Sequence, residues 1–458
     1  MLVGCASRTV KPEPVVPEPA AAREVWVDAS ASAGGDGSLE HPFKAVPELS
    51  GPTRLNLRAG VYQGPFRFEG VQLEGHGVVV LTSNAGETTV TASNSTLANV
   101  SIQGGDVGLA AGPGVSGRAV YFSGQRREAA HVSGALTLAQ SKAVASIEGT
   151  LGLVVEPKAS LGATGLELEA GFKRGVQCEG GALALDGVKA LGAKAVVHAR
   201  GCTGGVAALT AENGAGPAVF ASGGQLEVRA LTVRGHEYGL QLGPSAKVTA
   251  SSVEIAGTGD ACVSTNGAEL TVNGGRFSRC GLSGGLLLLD GSTVRLEDVT
   301  VKDTKDVGVL ARKATLTVVG AQLSGISAIG EALGDALHLR ESHVTLERVR
   351  VSDVTGSGVV ASVFSEVTVV SLEVERAHAP ALVAEKGAQV TVKALLVRGG
   401  SGAVLVPDGA RVTLESLSVA GGSEMPIYAE CQAGAEVAVG KLESTVQQLP
   451  SRCVGQLR

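Results

Sequence analysis

The chain has 458 residues, a net charge of −6 and dispersed basic residues, a balance that leaves no footprint for nucleic acid. No apolar run reaches the length of a membrane-spanning helix. Glycine is abundant at 65 residues and aromatics are scarce at 3%, which suits a chain with many tight corners rather than one large aromatic core.

Residues 1–5, Met-Leu-Val-Gly-Cys5, resemble the end of a bacterial lipoprotein signal, in which Leu-Val-Gly precedes the lipidated cysteine. Residues 6–23 are rich in proline and show no periodicity, so they read as an extended tether. An anchor at Cys5 followed by a tether implies a lipid-anchored protein of the bacterial cell envelope. The expected place is the outer membrane, on its periplasmic or surface face.

The folded part is expected over residues 24–445. It opens with Val25-Trp26-Val27-Asp28, then Gly34-Gly35-Asp36-Gly37-Ser38, then His41-Pro42-Phe43. Leu55-Asn56-Leu57 leading to Gly60-Val61-Tyr62 follows. These motifs resemble the start of right-handed parallel β-helix proteins of the pectin lyase-like superfamily. The resemblance implies an all-β solenoid with a short capping helix, residues 24–80 forming the cap and first coils. Five of the thirteen aromatics lie before residue 70, as a differently built cap requires.

Between 88 and 175 the coil register is not legible, although Val100/Ile102, Leu136/Leu138 and Leu166/Leu168 read as inward pairs. From Gly267 to Ser444 one short pattern recurs eight times, with starts at 267, 291, 313, 341, 364, 387, 409 and 434. Each copy places apolar residues at its fourth and sixth positions: Leu270/Val272, Val294/Leu296, Leu316/Val318, Val344/Leu346, Val367/Val369, Val390/Val392, Val412/Leu414 and Val437/Val439. A second pair follows three positions later in most copies, as in Val349/Val351 and Leu395/Val397. Alternation of period two means a strand with one face buried. A period near 22–24 residues means stacked coils, each stable only against its neighbours. Residues 446–458 should cap the last coil, since an open strand edge invites pairing between chains.

Six of the seven cysteines fall in sequential pairs about one coil apart: Cys178 and Cys202, Cys262 and Cys280, Cys431 and Cys453. Residues stacked on adjacent coils stand at nearly the Cα separation a disulfide needs, roughly 4.4–6.8 Å, so three bridges are expected. No zinc or other metal site and no cofactor is indicated.

Chemistry is thinly represented. The uronate-cleaving enzymes that this start resembles carry calcium-binding carboxylates with a basic arginine, or Asn-x-Asp, Asp-Asp and Gly-His-Gly motifs, and none of these stands here. Asp303 and Asp306, with Asp335, His338 and Arg340, are the nearest candidates for a catalytic group. Asp260 and Asp353 stand at equivalent corners, where an acidic residue suits a solvated turn equally well. Thr317, Thr345, Thr368, Thr391 and Thr413 occupy one outward position on successive coils, flanked by charges such as Arg411 and Glu415, which argues against an ice-binding face. One coil is longer, at 28 residues, and its excess holds Ile326, Ile329 and Leu333. These three form either a partner loop or a turn folded back onto the stack.

The reading is a non-catalytic, monomeric envelope lipoprotein with a structural or interaction role, whose partners are the membrane and an envelope protein or polysaccharide. The alternative is a polysaccharide lyase, glycoside hydrolase or carbohydrate binder of the same fold. Aromatics and carboxylates converging on one groove would favour the alternative.

Overall fold

The computed structural model describes residues 22–49, 51–330, 334–421, 426–444 and 454–456. Cys5, most of the tether, Leu333 and Cys453 lie outside them. Within them the chain is a parallel β-helix, with 28 strands in a larger sheet and 17 in a smaller one.

One coil shows how the sequence makes the shape. Strand Glu269–Ser278 runs along the larger sheet and kinks at Gly274, where φ is +70°. Strand Gly284–Leu289 then returns along the smaller sheet. The kink residue consumes one step of the in–out alternation, so Val272 and Gly275, three apart, both face inward. This is the physical cause of the second apolar pair. Other coils place Ala230, Ser252, Asp298 and Arg348 at the same kink, all with φ near +50°.

The register follows the sequence pattern. Leu270, Val294, Leu316, Val344, Val367, Val390, Val412 and Val437 stack in one buried column. The second pairs stack likewise, Val349 on Leu372 and Leu372 on Leu395. The five threonines pair in a continuous outward row. In the irregular stretch, Val100/Ile102 lie on Val120/Phe122, and Leu136/Leu138 on Leu161/Ala163. The strands of successive coils feed one continuous apolar core.

The expected capping helix is absent: residues 44–49 hold no helix, and the helical element among the described residues is a single turn, Cys431–Ala433. Pro47 stands inside the segment and has no backbone N–H to give a helical ladder. Phe43 instead bridges to Val27, its N–H donating to the Trp26 carbonyl at 3.0 Å. The first coil is pinned by side chains. Trp26 stacks on His76 at 5.0 Å, Arg58 pairs with Asp28 at 3.2 Å, and the Tyr62 hydroxyl donates to the Arg58 carbonyl at 2.8 Å. At the other end, Val454–Gln456 adds a strand beside Val437–Val439.

Two cross-coil disulfides form as expected, Cys178–Cys202 and Cys262–Cys280, with Cα separations of 6.3 and 5.2 Å. Cys431 is also disulfide-bonded. In the long coil, Ile326 is fully buried in the core while Ile329 is exposed, and Ser327 bridges back to Lys305. The described part of this insertion is therefore folded onto the stack through Ile326.

Candidate functional site

The corner carboxylates are placed mostly as turn residues. Asp303, Asp306 and Asp353 have φ of +53°, +66° and +55°, the left-handed region that aspartate tolerates better than most residues. Asp303 lies 3.7 Å from Lys302, and Asp353 is bonded twice to Arg376. Arg340 pairs with Glu341 at 3.4 Å. Asp335 differs: it is buried, accepts the Ser357 N–H at 2.7 Å and meets His338 Nδ1 at 3.1 Å. Asp335 and His338 thus meet on the smaller sheet, whereas Asp303 and Arg340 turn to other partners. Among the described residues no group of three or more His, Cys, Asp or Glu could hold a metal ion.

A different set of side chains gathers on the outer face of the smaller sheet. Strands Arg174–Glu179, Ala195–Arg200, Pro217–Ser222 and Tyr238–Leu242 lie side by side there. Their register puts Gln177, His198, Phe220 and Gln241 in one outward row. His198 and Phe220 stack in parallel at 4.4 Å. Arg174 stands on one flank of this row, its guanidinium donating to Gln177 Oε1 at 2.9 Å, and Arg200 stands on the other. At the next coils Tyr238 donates its hydroxyl to the Asp260 carboxylate.

The electrostatics of the cluster are unusual for a surface. His198 is 8% exposed, its Nε2 has no hydrogen-bond partner, and its pKa is lowered to about 4 by burial and by Arg174 and Arg200. The ring is therefore neutral at neutral pH. Burial, and then the charge of Arg200, also lowers the pKa of Arg174. Among the described residues neither arginine has a salt bridge, although Glu179 lies close enough to act on Arg174 through space. Burial and the Asp260 carboxylate together raise the Tyr238 pKa. Two like charges and an aromatic pair thus share one face, where an anionic group could bridge the guanidiniums. Sequence reasoning missed this cluster. The available signal was a ring on two consecutive coils, His198 and Phe220; elsewhere in the same row rings stand singly, at His131, His338 and Tyr428.

Residues 217–332 match the family described as a right handed beta helix region. No curated protein matches the chain. Among solved structures, the catalytic domain of a GH87 alpha-1,3-glucanase in complex with tetrasaccharides is similar at 14% identity and a TM-score of 0.30, over 96% of this chain and 70% of that one. The GH136 lacto-N-biosidase from Eubacterium ramulus is similar at 8% identity and a TM-score of 0.21, over 93% of this chain and 68% of that one. Likenesses this distant say nothing about activity. The match over residues 217–332 and the parallel ladders agree there on a right-handed β-helix, and the same ladders run through the other described coils as a parallel β-helix.

Proposed function

We propose that the protein is a non-catalytic binding protein of the bacterial cell envelope that holds an anionic saccharide against the smaller sheet. The observation that carries this reading is the pair Arg174 and Arg200, held beside the His198–Phe220 stack without a salt bridge among the described residues. Carboxylate-bearing sugars offer the matching chemistry, a charge for the guanidiniums and a ring with apolar C–H edges for the aromatics. The carboxylate beside the arginines, Glu179, is engaged with Gln177 at 3.4 Å, and Asp260, further along the sheet, with Tyr238. Acid–base cleavage would need two carboxyl groups roughly 5–9 Å apart across the sugar bond. Asp335, the buried candidate, is instead committed to Ser357 and His338.

Affinity electrophoresis in polygalacturonate and in alginate tests the reading. The wild-type chain should be retarded, and Arg174→Ala with Arg200→Ala should weaken retention at least tenfold. Retention should fall with salt, because the attraction is between exposed charges. It should be flat from about pH 5 to pH 8, because His198 with its lowered pKa stays neutral throughout that range. Unretarded wild type, or release of reducing or unsaturated ends, would remove the reading.

The envelope location rests on the sequence around Cys5. The protein expressed with a complete leader should sediment with membranes, and Cys5→Ser should release it. A wild-type protein found wholly in the soluble fraction would count against the anchor.

A further inference from the structure

The corner between the smaller sheet and the following strand of the larger sheet is a column of left-handed residues. Gly291, Lys313, Glu341, Gly387, Gly409 and Gly434 occupy it, with φ of +79°, +51°, +50°, +76°, +34° and +78°. Glycine adopts this conformation without cost, and long charged residues reach solvent from it. Phe364 is the exception: it stands in the same column with φ +57°, directly after Val363 at φ +49°. A β-branched residue followed by an aromatic, both left-handed, is a costly corner. Burial does not offset that cost, because Phe364 is 76% exposed. It is held in place rather than loose: its N–H donates to the Lys386 carbonyl at 3.0 Å and its ring lies over Gly387, where an added Cβ would come within 2.6 Å.

Beyond the ring, toward the C-terminal end, the corner forms a shallow cleft of about 160 Å³. Gly387, Gly409 and Gly434 make its floor, and Gln389, Arg411 and Glu436 line it. Arg411 and Glu436 are paired at 2.8 Å, so the cleft carries no net charge from them. An exposed aromatic beside a glycine floor, with planar amide, guanidinium and carboxylate groups at the rim, is the chemistry that holds a sugar ring. The ring's C–H face lies on the aromatic and its hydroxyls meet the polar rim. A protein-docking site would surround the ring with further apolar residues, and this rim is polar.

We infer that Phe364 and the cleft from Gly387 to Gly434 form a second saccharide subsite, one that takes an uncharged sugar unit. The row from His198 to Val360 crosses seven coil-to-coil steps, so the subsite lies ~34 Å along the axis from the arginine face. The inference extends the saccharide reading to a separate corner of the molecule.

The test compares the intact chain with Phe364→Gly and Phe364→Trp. Glycine suits a left-handed position better than phenylalanine does, so Phe364→Gly should melt at the same temperature as wild type or higher. Saturation-transfer NMR would be run with maltohexaose, laminarihexaose, cellohexaose and chitohexaose as probes. Wild type should bind at least one, Phe364→Gly should lose at least tenfold in affinity, and Phe364→Trp should retain it. Wild type binding none of the four would overturn the subsite. Binding unchanged in Phe364→Gly would overturn it while leaving the arginine face intact. A change in sedimentation coefficient on Phe364→Gly, with no saccharide bound by wild type, would assign the ring to chain–chain contact and end the proposal. Loss of polygalacturonate retention in the arginine variants is read separately, so failure of one site is distinguishable from failure of the other.

Discussion

Val390→Asp should remove cooperative folding from the middle coils. Val390 is 2% exposed and lies between Val367 and Val412 in adjacent coils, themselves 2% and 0% exposed. A carboxylate there faces apolar side chains above, below and across the core. Burying one unpaired charge costs several kcal/mol, and the group would have to bind a proton or open the coil to avoid it. The coils on each side cover their own faces only by stacking, so damage at one should spread to both neighbours. Hydrogen exchange should show lost protection over about residues 364–420, and the thermal transition should broaden or split. A variant with a single transition within a few degrees of wild type would mean that position 390 does not face the core.

Removing the Cys178–Cys202 bridge should give the second large effect. Both sulfurs are buried, so alanine is the appropriate replacement at each position. The bridge closes a loop of 24 residues, and the chain-entropy treatment gives it about 3 kcal/mol. If the whole chain melted as one unit, that loss would lower the transition by about 3 °C, because the unfolding entropy grows with chain length. A solenoid can open locally, however, and the loss should then concentrate in the strands from Arg174 to Ala207. Melting with and without reductant, alongside Cys178→Ala with Cys202→Ala, separates the two cases. No change in melting, and no change in exchange near residue 190, would show that the bridge constrains nothing in the unfolded chain.

Much of the fold was legible because the two columns that begin at Leu270 and Val272 are filled entirely by Val and Leu through Val437 and Val439. Where a column mixes sizes, the pattern disappears. In one buried column Ile102, Phe122, Ala143 and Leu168 follow one another, with Phe122 filling space that Ala143 leaves. In another, Gly117 lies between Leu97 and Leu138 because a Cβ there would come within 2.8 Å of Leu138. Such compensation satisfies packing but removes the alternation on which sequence reading depends. The strands of the smaller sheet were obscured for another reason. Their outward row is itself apolar in places, as at Val360 and Val383 with 7% and 8% exposure, so Gly-Val-Val-Ala reads as an unbroken run.

The site was less legible than the fold. Corner aspartates drew attention because carboxylates carry chemistry, yet at Asp303 and Asp353 the left-handed turn is reason enough for the residue. Arg174 and Arg200 are 26 positions apart and belong to no motif; only the stacking of adjacent coils makes them neighbours of one histidine. Phe364 could have been singled out from its position alone. It opens a copy whose neighbours open with Glu341 and Gly387, and an aromatic has no structural reason to stand there.

The two cross-coil disulfides also bear on how the molecule responds to a pull. A parallel β-helix under tension from its C-terminal end loses one coil at a time, like tape leaving a roll, because each coil is held chiefly by the one beneath it. Every coil of about 22 residues would pay out roughly 70 Å of chain at the extended rise per residue. Once past the bridged Cys431 near its start, the peeling front would meet no further cross-link until Cys280. There the covalent link to Cys262 removes 18 residues from the length that can be drawn out, and the link from Cys202 to Cys178 removes another 24 further down. The half of the molecule nearer the N-terminus is thus a ratcheted base, and the half nearer the C-terminus is a reserve of length that can yield first.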